Sequence, residues 1–153
     1  MENILNESDR KKMLLRVDSL TESDQRQWGK MNVNQMVCHL TDPLRVALKT
    51  KEAEPRMSLF KGFLIKKMAM LGPPIPKGKI ETFKEIKQGD GGGTPPTNLS
   101  NDKKMLVEQI NKFVKEFKED EIVRHPSFGN MNKKEWARIT YIHMNHHLKQ
   151  FGR

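Results

Sequence analysis

The chain has 153 residues, 35% of them hydrophobic and 31% charged, and carries a net charge of +9 from 28 Lys and Arg against 19 Asp and Glu. That length suits one domain over 1–153, which buries roughly two thirds of the surface its unfolded form exposes and needs no metal or disulfide merely to fold. A single cysteine, Cys38, excludes an intrachain disulfide, and the most apolar stretch, Leu59 to Leu71, is 13 residues with three lysines, which excludes a membrane span. The first residues lack the basic-then-apolar order of a secretion signal, so the expected compartment is a reducing cytoplasm. The lysines are spread along the chain and no nucleic-acid reading motif accompanies them. The excess charge is therefore read as solvation of helix faces, with no specific nucleic-acid partner expected.

From Glu7 to Leu20 the apolar residues Met13, Leu14, Val17 and Leu20 fall at helical spacing and predict a first amphipathic helix. A polar stretch follows, broken at Gly29, in which Trp28 is expected to close over a core edge. Asn32 and Gln35 have capping-box spacing and open a second helix, with Met36, Leu40 and Leu44 as its apolar line and His39 beside it. Pro43 predicts a kink between Leu40 and Pro43 if that helix runs on to Leu48.

A third helix is predicted from Met57 to Leu71, with Phe60, Phe63, Leu64, Met68 and Leu71 as a stripe. We expect this stripe to pack on the bundle as an insert, in preference to a membrane-surface role for a basic amphipathic segment. Gly72 to Gly78 cannot be helix, Ile80 to Ile86 has no clear period, and Gln88 to Thr97 is a Gly/Pro-rich connector lacking the lysine and preceding strand of a phosphate loop. Ser100 or Asn101 is expected to cap a helix from Asp102 to Lys118 carrying Met105, Leu106, Ile110, Phe113, Val114 and Phe117. Asn132 and Glu135 repeat the capping-box spacing before the last helix. The expected fold is all-α: a four-helix bundle with a long middle crossover that holds an extra helix and a Gly/Pro-rich loop.

Three of the five histidines lie in the last helix. At roughly 100° per residue, Trp136, Ile139, Thr140, His143, His147 and Gln150 share one inward line, and His146 points to one side. Two imidazoles on an interior face need partners, and a divalent ion satisfies one nitrogen of each. The pair alone is better explained by hydrogen bonds to neighbours. His39, on the other helix that carries a histidine beside its apolar face, supplies the third ligand that shifts the reading to a metal site. His146 competes with His147, His125 is expected to cap or pack beside Pro126, and Cys38 to be a small core residue. Three histidines leave open positions on an ion, the arrangement of catalytic zinc, which activates a bound water or thiolate. Asp42 and Gln150 are expected to hold the imidazole tautomers, and Arg45 is a candidate anion contact. No catalytic acid, base or nucleophile stands out beside the ligands.

The motifs Trp28-Gly29-Lys30-Met31, Gln35-Met36-x-x-His39, the run Asp42 to Leu48, His125-Pro126-x-Phe128-Gly129 and His143-x-x-His146-His147-Leu148-x-Gln150-Phe151-Gly152 span nearly the whole chain. On them the chain resembles the DinB-like superfamily of metal-binding four-helix bundles, and within it a group of uncharacterised domains. The resemblance implies His39, His143 and His147 as metal ligands, with His146 as the extra histidine often found inside the pair. It further implies zinc or nickel, a homodimer and, by analogy with some members, a low-molecular-weight thiol acting on a small-molecule substrate. Two functions follow as expectations: a metal-dependent transferase or hydrolase of the thiol-dependent type, or a non-catalytic dimeric binding or stress-response module whose ion is structural or vestigial.

Overall fold

The computed structural model describes residues 1–72, 82–89 and 91–153. The described chain is mostly helical. Five α-helices run in the order α1 (Glu7–Asp18), α2 (Val33–Ala47), α3 (Leu59–Met70), α4 (Leu99–Glu116) and α5 (Lys133–Gln150), with one 3-10 turn at Lys84–Ile86. Between α4 and α5 lies an antiparallel hairpin of β1 (Val123–His125) and β2 (Gly129–Met131), paired with His125 opposite Gly129. The expectation of non-helical chain over Gly72 to Gly78, and the first part of the Ile80 to Ile86 stretch, fall largely outside the described residues.

Local chemistry sets the helix starts. Asn32 accepts from the Gln35 amide at 2.8 Å while Gln35 Oε1 accepts from the Asn32 amide at 3.0 Å, and Asn132 and Glu135 make the same reciprocal pair at the head of α5. Helix α4 starts three residues earlier than expected. Its cap is Asn98, whose Oδ1 accepts from the Asn101 amide at 2.9 Å, in place of Ser100 or Asn101. Asp102, expected to open that helix, is instead a buried acceptor for the Thr97 amide and hydroxyl in the preceding turn. Helix α2 continues through Pro43 to Ala47. The proline has no N–H to give, so the His39 carbonyl loses its usual helical donor four residues on.

Met36, Leu40 and Leu44 of α2 are buried with Leu106, Ile110 and Phe113 of α4 and Trp136, Met144 and Leu148 of α5. Met13 and Val17 place α1 against α5 and α4. The hairpin belongs to this core through Trp136, whose indole N–H donates to the Val123 carbonyl at 3.2 Å. His125 sits in the same nest, 5.0 Å from the Trp136 ring and 4.5 Å from Phe128, with Nδ1 accepting from the Ser127 amide at 3.0 Å. Burial pushes its pKa down to about 3. It is a neutral packing residue beside Pro126.

Helix α3 corrects the sequence expectation. Its Phe60, Phe63, Leu64, Met68 and Leu71 face outward, and its buried residues are Gly62 and Lys66. The reason is backbone proximity: a Cβ at Gly62 would stand 2.8 Å from the Gly129 nitrogen and 3.0 Å from the Phe128 carbonyl carbon, so only a glycine lets the helix lie this close to the hairpin. Lys66 completes the contact, donating to the Asn130 carbonyl at 2.7 Å and pairing with Glu135 at 2.8 Å. Gly62→Ala is therefore expected to destabilise the fold by about 1–3 kcal/mol, although alanine is the better helix former. A thermal melt of the two proteins checks this, and a variant melting at or above the wild type would remove the close contact from the account.

Candidate metal centre

Helix α2 presents His39 and helix α5 presents His143 and His147 to the same point. The Nε2 atoms of His39 and His147 each lie 3.0 Å from His143 Nε2. The three ligand atoms all fall within 4.8 Å of one another. Nitrogens bound at about 2.0–2.1 Å to one ion, at angles between octahedral and tetrahedral, stand roughly 2.9–3.4 Å apart, so the two short separations suit a shared ion. His39 and His147 are buried, and His143 is half-buried.

The outer nitrogens decide what the inner ones can do. His39 Nδ1 lies 2.9 Å from the Ile86 carbonyl, which can only accept, so Nδ1 carries the proton and Nε2 presents a lone pair. His147 Nδ1 lies 2.7 Å from Gln150 Oε1 and is fixed in the same tautomer by an amide oriented to present its oxygen. Two lone pairs thus face His143 Nε2, which as a neutral ring carries at most one proton there and donates it to one neighbour. A buried lone pair is left over without a cation. A divalent ion at the convergence satisfies all three nitrogens at once, and on this chemistry the residues fit a metal.

Electrostatics point the same way. Burial is the main cause that lowers the pKa of His39, His143 and His147, the last to about 3; His143 is lowered further by His147 and His39, and His147 by His39. All three are neutral at pH 7, the state a metal ligand needs.

The residues flagged in sequence around this cluster divide. Gln150 reaches His147, and the loop from 20 to 32 buttresses it: the Gln27 amide donates to the Gln150 carbonyl at 2.6 Å. Gly29, at φ 90°, leaves no room for a Cβ, which would sit 2.9 Å from Gln150 Nε2. The same loop sets Trp28 edge-on to His146, with ring centroids 6.4 Å apart. His146 is half-buried, 5.1 Å from the His147 ring, and outside the ligand group. Replacing Gln150 by leucine is expected to weaken metal binding about 10–100-fold, because the His147 tautomer and ring angle are no longer held. Competition against a chromophoric chelator measures it, and unchanged affinity would show that Gln150 does not orient the ligand.

Asp42 and Arg45 are corrections. Asp42 does not bond an imidazole: the outer partner of His39 is the Ile86 carbonyl. Asp42 is fully buried and accepts from the Thr94 amide at 2.8 Å and hydroxyl at 2.6 Å, with Lys51 at 3.3 Å. Arg45 turns to Thr94, at 2.6 Å, and to Met105 and Asp42, so its guanidinium serves the same loop anchor and is no anion contact at the histidines. On the helix surface Asp42 lies one turn after His39 but aims at the Gly/Pro-rich loop, where the Thr94 amide and hydroxyl supply the donors a buried carboxylate requires. Cys38 is buried and its thiol is pushed up to about 12 by burial and the adjacent Asp102, which makes it inert. The residue that sequence reasoning missed is Ile86. It acts through its carbonyl, which any residue type has, so its side chain gave no signal.

These features define a mostly helical protein with a largely buried cluster of three histidines that could hold a metal ion. The chain belongs to the family described as "Protein of unknown function (DUF1569)", whose model matches residues 2–153. No curated protein and no solved structure gave a match.

Proposed function

We propose that the protein binds one divalent ion, zinc or nickel, through His39, His143 and His147, and that it is a metal-dependent enzyme of the thiol-dependent transferase or hydrolase type built on a DinB-like four-helix bundle. The observation that carries this reading is the tautomer count. Ile86 and Gln150 fix two Nε2 lone pairs toward a third imidazole that can satisfy only one of them. Helices α1, α2, α4 and α5 serve as the bundle, and α3 lies in its middle crossover. A homodimer accompanies this reading.

When bound, the ion supplies a Lewis acid that makes a water or a low-molecular-weight thiol nucleophilic near neutral pH. The chain's own contribution is to keep three imidazoles neutral and aimed, and to use no protein carboxylate or thiolate as ligand, so that coordination positions stay open. His146, its ring 5.1 Å from that of His147 and with Trp28 at its edge, is the first side chain to examine for handling a proton. Metal analysis of tag-free protein, followed by turnover screens with thiol cofactors and electrophiles, tests the proposal in two parts. Stoichiometric metal with thiol-dependent turnover supports it. Full metal loading with no turnover, together with a large fall in melting temperature on chelation, would assign the ion a structural role in a non-catalytic module.

A further inference from the structure

Helix α3 shows solvent the wrong face for a residue stripe of its composition. Phe60 is 72% exposed, Met68 67% and Leu71 75%, and Phe63 and Leu64 complete a continuous apolar strip on the side opposite Gly62 and Lys66. Scattered exposed apolar residues need no explanation, but a contiguous strip of this kind marks an interaction surface. Lys61 and Lys67 stand on or beside the strip, with the Lys67 ammonium 5.4 Å from the Phe63 ring centroid. From Pro55 to Lys79 the sequence holds Arg56, Lys61, Lys66, Lys67, Lys77 and Lys79 and no acidic residue.

We propose that this face of α3 docks on an anionic membrane surface, with the helix lying in the interface plane. Large apolar side chains flanked by lysines are what such a helix presents, the rings and thioether entering the acyl boundary while the ammonium groups reach the headgroup phosphates. At 12 residues, about 18 Å, the helix is too short to span the roughly 30 Å hydrocarbon core, so it lies on the bilayer and does not cross it. Beside the strip an open groove of about 470 Å³, lined by Arg56, Met57, Ser58, Lys61, Leu64 and Ile65, joins cationic and apolar walls as a phospholipid headgroup and its first methylenes require. Charge argues against a second copy as the occupant. A two-fold contact places the same patch on both sides, so two surfaces that each carry Lys61 and Lys67, from a stretch with no acidic residue, would face each other.

The test is co-sedimentation of the full-length protein with vesicles of phosphatidylcholine alone and of phosphatidylcholine with 30% phosphatidylglycerol. Binding at least tenfold stronger to the anionic vesicles, weakened by 0.5 M salt, is expected. Lys61→Glu with Lys67→Glu should lower the partition coefficient about 25-fold or more, at roughly fivefold for each basic residue near the surface. Phe60→Ser with Met68→Ser should abolish binding while α-helical circular dichroism and metal content stay unchanged, since neither residue reaches the core or the histidines. Equal binding to both vesicle types, or none to either, overturns the proposal. So does a concentration-dependent dimer in sedimentation velocity that Phe60→Ser dissolves, which would assign the strip to a second copy.

Discussion

Replacing His143 by alanine is expected to lower the affinity for zinc or nickel by on the order of 10³-fold, the largest single effect at this site. A metal-binding free energy of about 10 kcal/mol or more, shared among three protein ligands, corresponds to a loss of this size. His143 is the residue to change because its Nε2 is the atom from which both neighbours stand 3.0 Å away. Binding stabilises whatever it binds, so the metal-loaded wild type should melt well above the chelated protein, and the variant should show almost no difference between the two conditions. In the metal-free state the variant leaves the lone pairs of His39 and His147 facing a small void instead of a third imidazole. Isothermal titration with zinc and paired melts with and without chelator measure both quantities. Wild-type stoichiometry and affinity in the variant would remove His143 from the ligand set.

The second large effect is on pH dependence. His125 is held neutral by burial with a folded-state pKa of about 3, against about 6.5 for an unfolded histidine. Its folded value is depressed, so above pH 6.5 neither state carries the proton and stability is unaffected. Between about 6.5 and 3 the unfolded chain takes up a proton that the folded chain refuses, and stability falls by about 1.4 kcal/mol for each pH unit. In chelator, His147 adds a second proton over the same window, because its folded value is also about 3. Urea denaturation at pH 8, 6 and 5 in chelator should therefore show a steep loss on the acid side. His125→Gln should be less stable at pH 8, through lost packing against Trp136 and Phe128, yet its pH slope should be shallower by one proton. Parallel slopes for the two proteins would show that His125 is protonated in the fold.

What could be read in the sequence, and what could not, follows from the kind of interaction concerned. His143 and His147 are four apart on one helix, so a single helical period brings them together. His39 could be added because it stands beside the apolar line of Met36, Leu40 and Leu44. The reciprocal caps at Asn32 and Asn132 were legible because both partners lie three residues apart in sequence. The cap at Asn98 was not, since Asn98, Ser100 and Asn101 are all competent and the choice depends on where Thr97 turns toward Asp102. The hairpin of β1 and β2 was missed because strands of three residues are too short to show a period. For α3 the face that packs is chosen by a glycine against a distant backbone and not by the apolar stripe, which no local pattern records. Asp42 illustrates the same limit: its position on α2 is right for His39, but its donors come from Thr94, far along the chain.

The proposed site is one ion held among three Nε2 atoms. A crystal of tag-free protein grown with zinc, measured on both sides of the zinc absorption edge, tests it most directly. One anomalous peak is expected in this cluster, about 2.0–2.1 Å from Nε2 of His39, His143 and His147, with His39 Nδ1 still on the Ile86 carbonyl and His147 Nδ1 still on Gln150. A peak held by His146 in place of one of the three, ligation through Nδ1, or an intact cluster with no metal in saturating zinc would contradict it.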